Sequence, residues 1–144
     1  MPEYPWMPIA RSKLGIHEIP GPEADAFIIE CLESTTLGAP ENQSDETAWC
    51  SAFANRVMQL AGIEGTNSAW ARSWLEWGRE PESEDEWPGC VCILERGPTS
   101  GHVGFLNNWS TEEGWVELLA GNQGDAVSIA RFPMSRVLGY RVPA

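Results

Sequence analysis

Apolar residues in this chain of 144 residues change their spacing once, at Gly89, and that change constrains the fold more than any other feature. Before it they recur every three to four residues. Trp6, Ile9, Ala10 and Leu14 form a short helical pattern closed by Gly15. A second helix is expected over about 23–33, with Ala26, Phe27, Ile28, Ile29 and Cys31 inward and Glu30 and Glu33 toward solvent. A third should begin near Ala48, capped by Asp45 or Thr47, carry Trp49, Phe53, Val57 and Leu60, and stop at Gly62. A fourth is expected from Ala69 to Trp77, capped by Asn67 or Ser68 and ended by Gly78, with Trp70, Trp74 and Trp77 on one stripe. Pro20-Gly21-Pro22 reads as a turn, 34–47 as a loop, and Glu80 to Glu86 as an acidic surface linker.

After Gly89 the period is two. Strands are expected at about 90–95, 102–108, 114–120, 125–132 and 137–142, separated by glycine, proline and asparagine turns. Helices followed by consecutive strands define an α+β domain, with N-terminal helices packed on a C-terminal antiparallel β-sheet. The length suits a single domain over 1–144.

A net charge of −12 argues against nucleic acid as a partner. It would also repel anionic lipid or polymer, so a wall substrate would have to be gripped in a local cleft. No apolar run approaches the roughly 20 residues that span a bilayer, which argues against membrane insertion. Met1 to Trp6 lacks a basic and an apolar signal region, so synthesis in a cytoplasm without a signal peptide is expected, with delivery by other means. Cys31, Cys50, Cys90 and Cys92 do not have the spacing of a disulfide scaffold. Cys90 and Cys92 alternate onto one strand face, as two buried small hydrophobes. A metal pair with His102 or His17 is the sharper reading, but Cys-x-Cys is tighter than zinc spacing; no metal or cofactor is expected.

Chemistry centres on Cys50, at the start of the third helix and one position off its core stripe. Helix-start amides lower a thiol's pKa and offer an oxyanion hole, and Ser51, Ala52 and Ala54 leave room for substrate. Of the two histidines, His17 lies in a turn region beside Glu18, whereas His102 opens a strand with Gly101 and Gly104 beside it. His102 is the candidate base. Asn122 is the candidate orienter, with Gln123 and Asp125 as alternatives for that role and a hairpin-turn role as the plainer reading of Asn122. Trp49, Ser51, Trp70 and Gln123 are candidate substrate contacts, although core packing is the plainer reading of the tryptophan stripe and a groove wall the lesser one.

Taken together these segments resemble the small NlpC/P60- and CHAP-like cell-wall hydrolases, in the compact single-domain group of phages and secretion systems. The matching stretches are Ala10 to Gly15 with Glu18 to Gly21, Asp45 to Phe53, Gly65 to Trp74, Gly101 to Phe105, Gly121-Asn122-Gln123 and Leu138 to Arg141. The resemblance implies a papain-like NlpC/P60 fold and hydrolysis of an amide bond in the peptidoglycan stem peptide. It assigns nucleophile to Cys50, base to His102 and third polar residue to Asn122. It further implies a delivered antibacterial effector or a phage lysin, with an immunity protein or delivery apparatus as partner, acting in the periplasm or cell wall. One departure concerns strand structure: the family commonly has Gly-Asp entering its first strand, and this chain has Gly89-Cys90. Rival readings are an acyltransferase or deamidase using the same dyad, and a non-catalytic glycan- or peptide-binding module.

Overall fold

A computed structural model describes residues 3–19, 24–36 and 49–144. The expected Pro20-Gly21-Pro22 turn, most of the 34–47 loop, and the proposed helix start at Ala48 with its caps lie outside them. Three α-helices come first: α1 (Trp6–Ser12), α2 (Ala26–Glu33) and α3 (Cys50–Leu60). Asp25 caps α2, its Oδ1 accepting from the amides of Phe27 (2.9 Å) and Ile28 (3.1 Å). Five strands follow: β1 (Val91–Glu95), β2 (Gly101–Ser110), β3 (Trp115–Gln123), β4 (Ala126–Pro133) and β5 (Val137–Arg141). They form one antiparallel sheet in the order β4-β3-β2-β1-β5.

Alternation gives the sheet two apolar faces. Val91, Ile93, Val103, Phe105 and Leu119 pack against Trp6, Ile28, Leu32, Phe53 and Val57 of the helices. Each such side chain, fully buried, contributes about 1.5–3 kcal/mol. On the other face Cys90, Cys92, Leu94, Leu106, Val116 and Leu118 are buried beneath Trp87, Trp109, Phe132 and Tyr140. Trp87 stacks on Tyr140 with centroids 4.3 Å apart. Cys90 and Cys92 are thus core residues, and no cluster of three metal-binding side chains occurs among the described residues.

Gly121 lets α3 reach the sheet. A Cβ there would lie 2.5 Å from Trp49 Cζ3 and 2.9 Å from Phe53 Cβ, closer than packed atoms approach.

The fourth helix differs from expectation. It is a 3-10 helix over Ala71–Glu76, not an α-helix from Ala69. Ser68 explains the change: its hydroxyl accepts the Trp70 amide, while its carbonyl accepts from Ser51 Oγ (2.7 Å) and Asn55 Nδ2 (3.0 Å). The Ser68 carbonyl that would accept the first α-helical bond is thus already occupied, and the segment tightens to three residues per turn, with the Ser73 amide bonding Trp70 O (3.0 Å). The tryptophans therefore leave on different sides, with Trp74 buried, Trp77 half-buried and Trp70 exposed.

Candidate active site

The site forms where β2 and β3 separate. Leu106 donates its amide to the carbonyl of Cys90, the residue before β1 (2.8 Å), so by alternation the amides of Val103 and Phe105 face β3. Pairing of β2 with β3 runs only as far as Phe105 opposite Leu119. The Val103 amide, left without a strand partner, turns to the Cys50 thiol. Val103 N lies two bonds from His102 Cα, which holds the sulfur within about 6 Å of that atom.

Cys50 is the first residue of α3 and 5% exposed. Burial raises its pKa above the ordinary thiol value, outweighing the amides of Val103, Ser51 and Cys50 and the charge of Arg96, all of which act the other way. The helix start therefore does not give a depressed thiol pKa, because desolvation is the larger effect.

His102 pairs with Leu94 across β1 and β2, which directs its ring to the sheet face carrying Cys92 and Leu94, 5.4 Å from the Phe132 ring. α3 packs on the opposite face, so ring and thiol meet the seam between β2 and β3 from its two sides. Nε2 of His102 lies 2.8 Å from Gln123 Oε1. The Gln123 amide nitrogen donates to Ser128 O (2.8 Å) and Leu118 O (3.3 Å), which fixes the oxygen toward the ring. That oxygen only accepts, so the proton sits on Nε2 and Nδ1 carries the lone pair. Nδ1 is buried and has no hydrogen-bond partner. Ring and thiol are not hydrogen-bonded to each other, an arrangement that often tightens only on substrate binding.

Burial lowers the His102 pKa from 6.5 to about 4; Gln123 opposes the shift and Arg96 and Arg136 add to it. Between pH 6.5 and 4 the unfolded chain binds more protons than the folded one, so stability is lost as pH falls through that window. At about 1.4 kcal/mol per pH unit the loss approaches roughly 3 kcal/mol. Denaturant unfolding of wild type and His102→Gln at pH 7 and 4.5 isolates it. The variant should lose less stability than wild type, and equal losses would contradict the assignment.

The other sequence candidates divide. Asn122 takes a left-handed backbone (φ 60°) in the irregular end of β3, and its side chain does not bond the ring; Gln123, next along, does. Trp49 is fully buried and donates Nε1 to Glu18 Oε2 at 3.0 Å, so it is core and not a substrate contact. Ser51 is equally buried, between Ser68 O and Trp74 Nε1 (2.9 Å), so its small size serves packing and leaves no open space. Trp70 is 55% exposed, and its Nε1 donates to Thr99 O at 2.9 Å. Two clefts lie away from the dyad. One of about 540 Å³ is bordered by Tyr4, Met7 and Trp109, and one of about 320 Å³ by Trp87 and Tyr140.

Sequence reasoning missed Asn55 and Arg72. Asn55 interrupts the apolar surface of α3 one turn after Ser51, and that position was the available signal. Nothing local marked Arg72.

No family model and no curated protein matches the chain. Among solved structures, one described as similar to lipoprotein, of the NLP/P60 family from Staphylococcus aureus subsp. aureus Mu50, aligns with a TM-score of 0.48 at 16% identity. The alignment covers 88% of this chain and 45% of that one, so the chain spans less than half its length.

Proposed function

We propose that this chain is a cysteine amidase or endopeptidase that cleaves an amide bond in peptidoglycan stem peptides, of the NlpC/P60- and CHAP-like kind its motifs resemble. The observation that supports it most is the His102 ring, pinned at Nε2 by Gln123 with a free Nδ1 lone pair, at the strand start whose next amide holds the Cys50 thiol. A turn residue with no contact to the ring would orient nothing, so Gln123 takes the third role in place of Asn122.

The resting dyad is a neutral thiol beside a neutral imidazole, since burial disfavours both charges. Nδ1 takes the thiol proton as sulfur attacks the substrate carbonyl carbon. The electron pair of the C=O bond moves to oxygen, where the amides at the start of α3 that face the thiol stabilise it. The imidazolium returns its proton to the departing amine, leaving a thioester on Cys50. Water, deprotonated by Nδ1, then releases the acid and restores the thiol. Trp70 forms a wall of the substrate groove, a rigid exposed ring suited to a sugar or peptide face.

Such an enzyme works in the periplasm or cell wall, delivered as an antibacterial effector or as a phage lysin. An effector needs an immunity protein in its producer; a lysin does not. Digestion of purified peptidoglycan with mass spectrometry of the muropeptides tests the reading. New amine and carboxyl ends at one amide position are expected, and an intact digest would refute it.

A further inference from the structure

Segment 66–74 contacts the neighbours of both dyad residues, Ser51 beside Cys50 and the 97–101 turn before His102. Toward the nucleophile, Ser51 Oγ donates to Ser68 O, and Asn55 Nδ2 donates to Ser68 O and to Thr66 Oγ1 (3.2 Å). Asn55 Oδ1 accepts the Asn67 amide at 2.9 Å, and Trp74 Nε1 donates to Ser51 Oγ. Ser51 adjoins Cys50, so the start of α3 is tied to this strap.

Toward the base, the strap grips the turn that leads into β2. Arg72 Nε donates to Ser100 O at 2.9 Å, its Nη2 donates to Gly97 O, and Trp70 Nε1 donates to Thr99 O. A Cβ at Gly101 would sit 3.2 Å from Arg72 Cγ, so the arginine stem lies against the backbone directly before His102. The turn's own hydrogen bond, Arg96 N to Ser100 O, is long at 3.3 Å. Three side-chain donors therefore hold a turn that its backbone holds weakly, and the last pairs of that hairpin are Leu94 with His102 and Glu95 with Gly101.

We propose that Arg72 is a positioning residue, which sets the distance between the Cys50 thiol and the His102 ring by clamping the 97–100 turn to the strap anchored on α3. It touches neither reacting atom. The function requires a fork: two donors in one plane reach two carbonyls three residues apart, and a lysine ammonium on a flexible stem reaches one. This inference rests on the dyad proposed above.

The test is the pH profile of Cys50 alkylation by iodoacetamide, read by peptide mass spectrometry in wild type, His102→Ala, Arg72→Met and Arg72→Lys, each with a thermal melt. Cys31, Cys90 and Cys92 are fully buried, so labelling of the folded protein reports Cys50. Wild type should label at least tenfold faster than His102→Ala at neutral pH. Arg72→Met should lose most of that advantage, and Arg72→Lys should fall between. Arg72→Lys keeps charge and stem, so it carries the test if Arg72→Met does not fold. Wild-type rates and profile in Arg72→Lys and in folded Arg72→Met would overturn the proposal. Equal labelling of wild type and His102→Ala would remove the dyad itself, and the clamp with it.

Discussion

His102→Ala is expected to lower kcat/KM for stem-peptide hydrolysis by roughly 10²–10⁴-fold, the usual contribution of a positioned general base. The ring is fully buried and its one hydrogen bond is to Gln123, so the substitution removes the base and strands the Gln123 oxygen. Because burial holds the ring neutral down to about pH 4, the wild-type rate should persist in mild acid and fall near that value. Gln123→Ala keeps the base but frees its orientation and tautomer, and should cost less than His102→Ala. If Gln123→Ala and His102→Ala lose activity equally while both fold, the ring has no role separable from its support. An acid limb near pH 6.5 would show that the ring is not buried in the working enzyme.

Asn55→Ala should cause the largest loss of stability, about 2–4 kcal/mol, or a fall in Tm of roughly 10 °C. Asn55 is fully buried and satisfies Ser51 O, Thr66 Oγ1 and Ser68 O, while its own oxygen takes the Asn67 amide. Asn67 is held at φ 59°, a conformation that a non-glycine residue keeps only when its surroundings enforce it. Removing the side-chain amide strands the Asn67 amide and takes a donor from Ser68 O and Thr66 Oγ1, which keep their bonds from Ser51 Oγ and Ser73 Oγ. Asn55→Leu separates this from a cavity effect: it refills the volume yet strands the same backbone amide, so it should be about as unstable as the alanine variant. Recovery of wild-type stability in Asn55→Leu would show that packing, and not hydrogen bonding, was lost.

The sheet was legible because period-two patterning is local: each expected strand lies within a few residues of an observed one. The fourth helix was not, because the Ser68 carbonyl is taken by Ser51 and Asn55 of α3, partners that only the tertiary fold supplies. The Gly-Asn-Gln signature located the irregular end of β3 but not which residue faces the base. Asn122 absorbs the left-handed turn, and that turn delivers Gln123 to the ring. The direction of the thiol shift also escaped the sequence. Helix position is visible in a pattern, whereas desolvation depends on what closes over the sulfur. Trp49 and Ser51, beside the nucleophile in sequence, are core in the fold, and adjacency to Cys50 said nothing about access.

The central claim is that Cys50 is the nucleophile of an amide hydrolase. Incubating purified peptidoglycan with wild type and with Cys50→Ala, and comparing released muropeptides by mass spectrometry, tests it most directly. The substitution removes one sulfur from a helix start whose hydrogen bonds are otherwise backbone, so the variant should keep its fold. Cleaved stem peptides with wild type and none with folded Cys50→Ala is the predicted result; equal cleavage by both would contradict it.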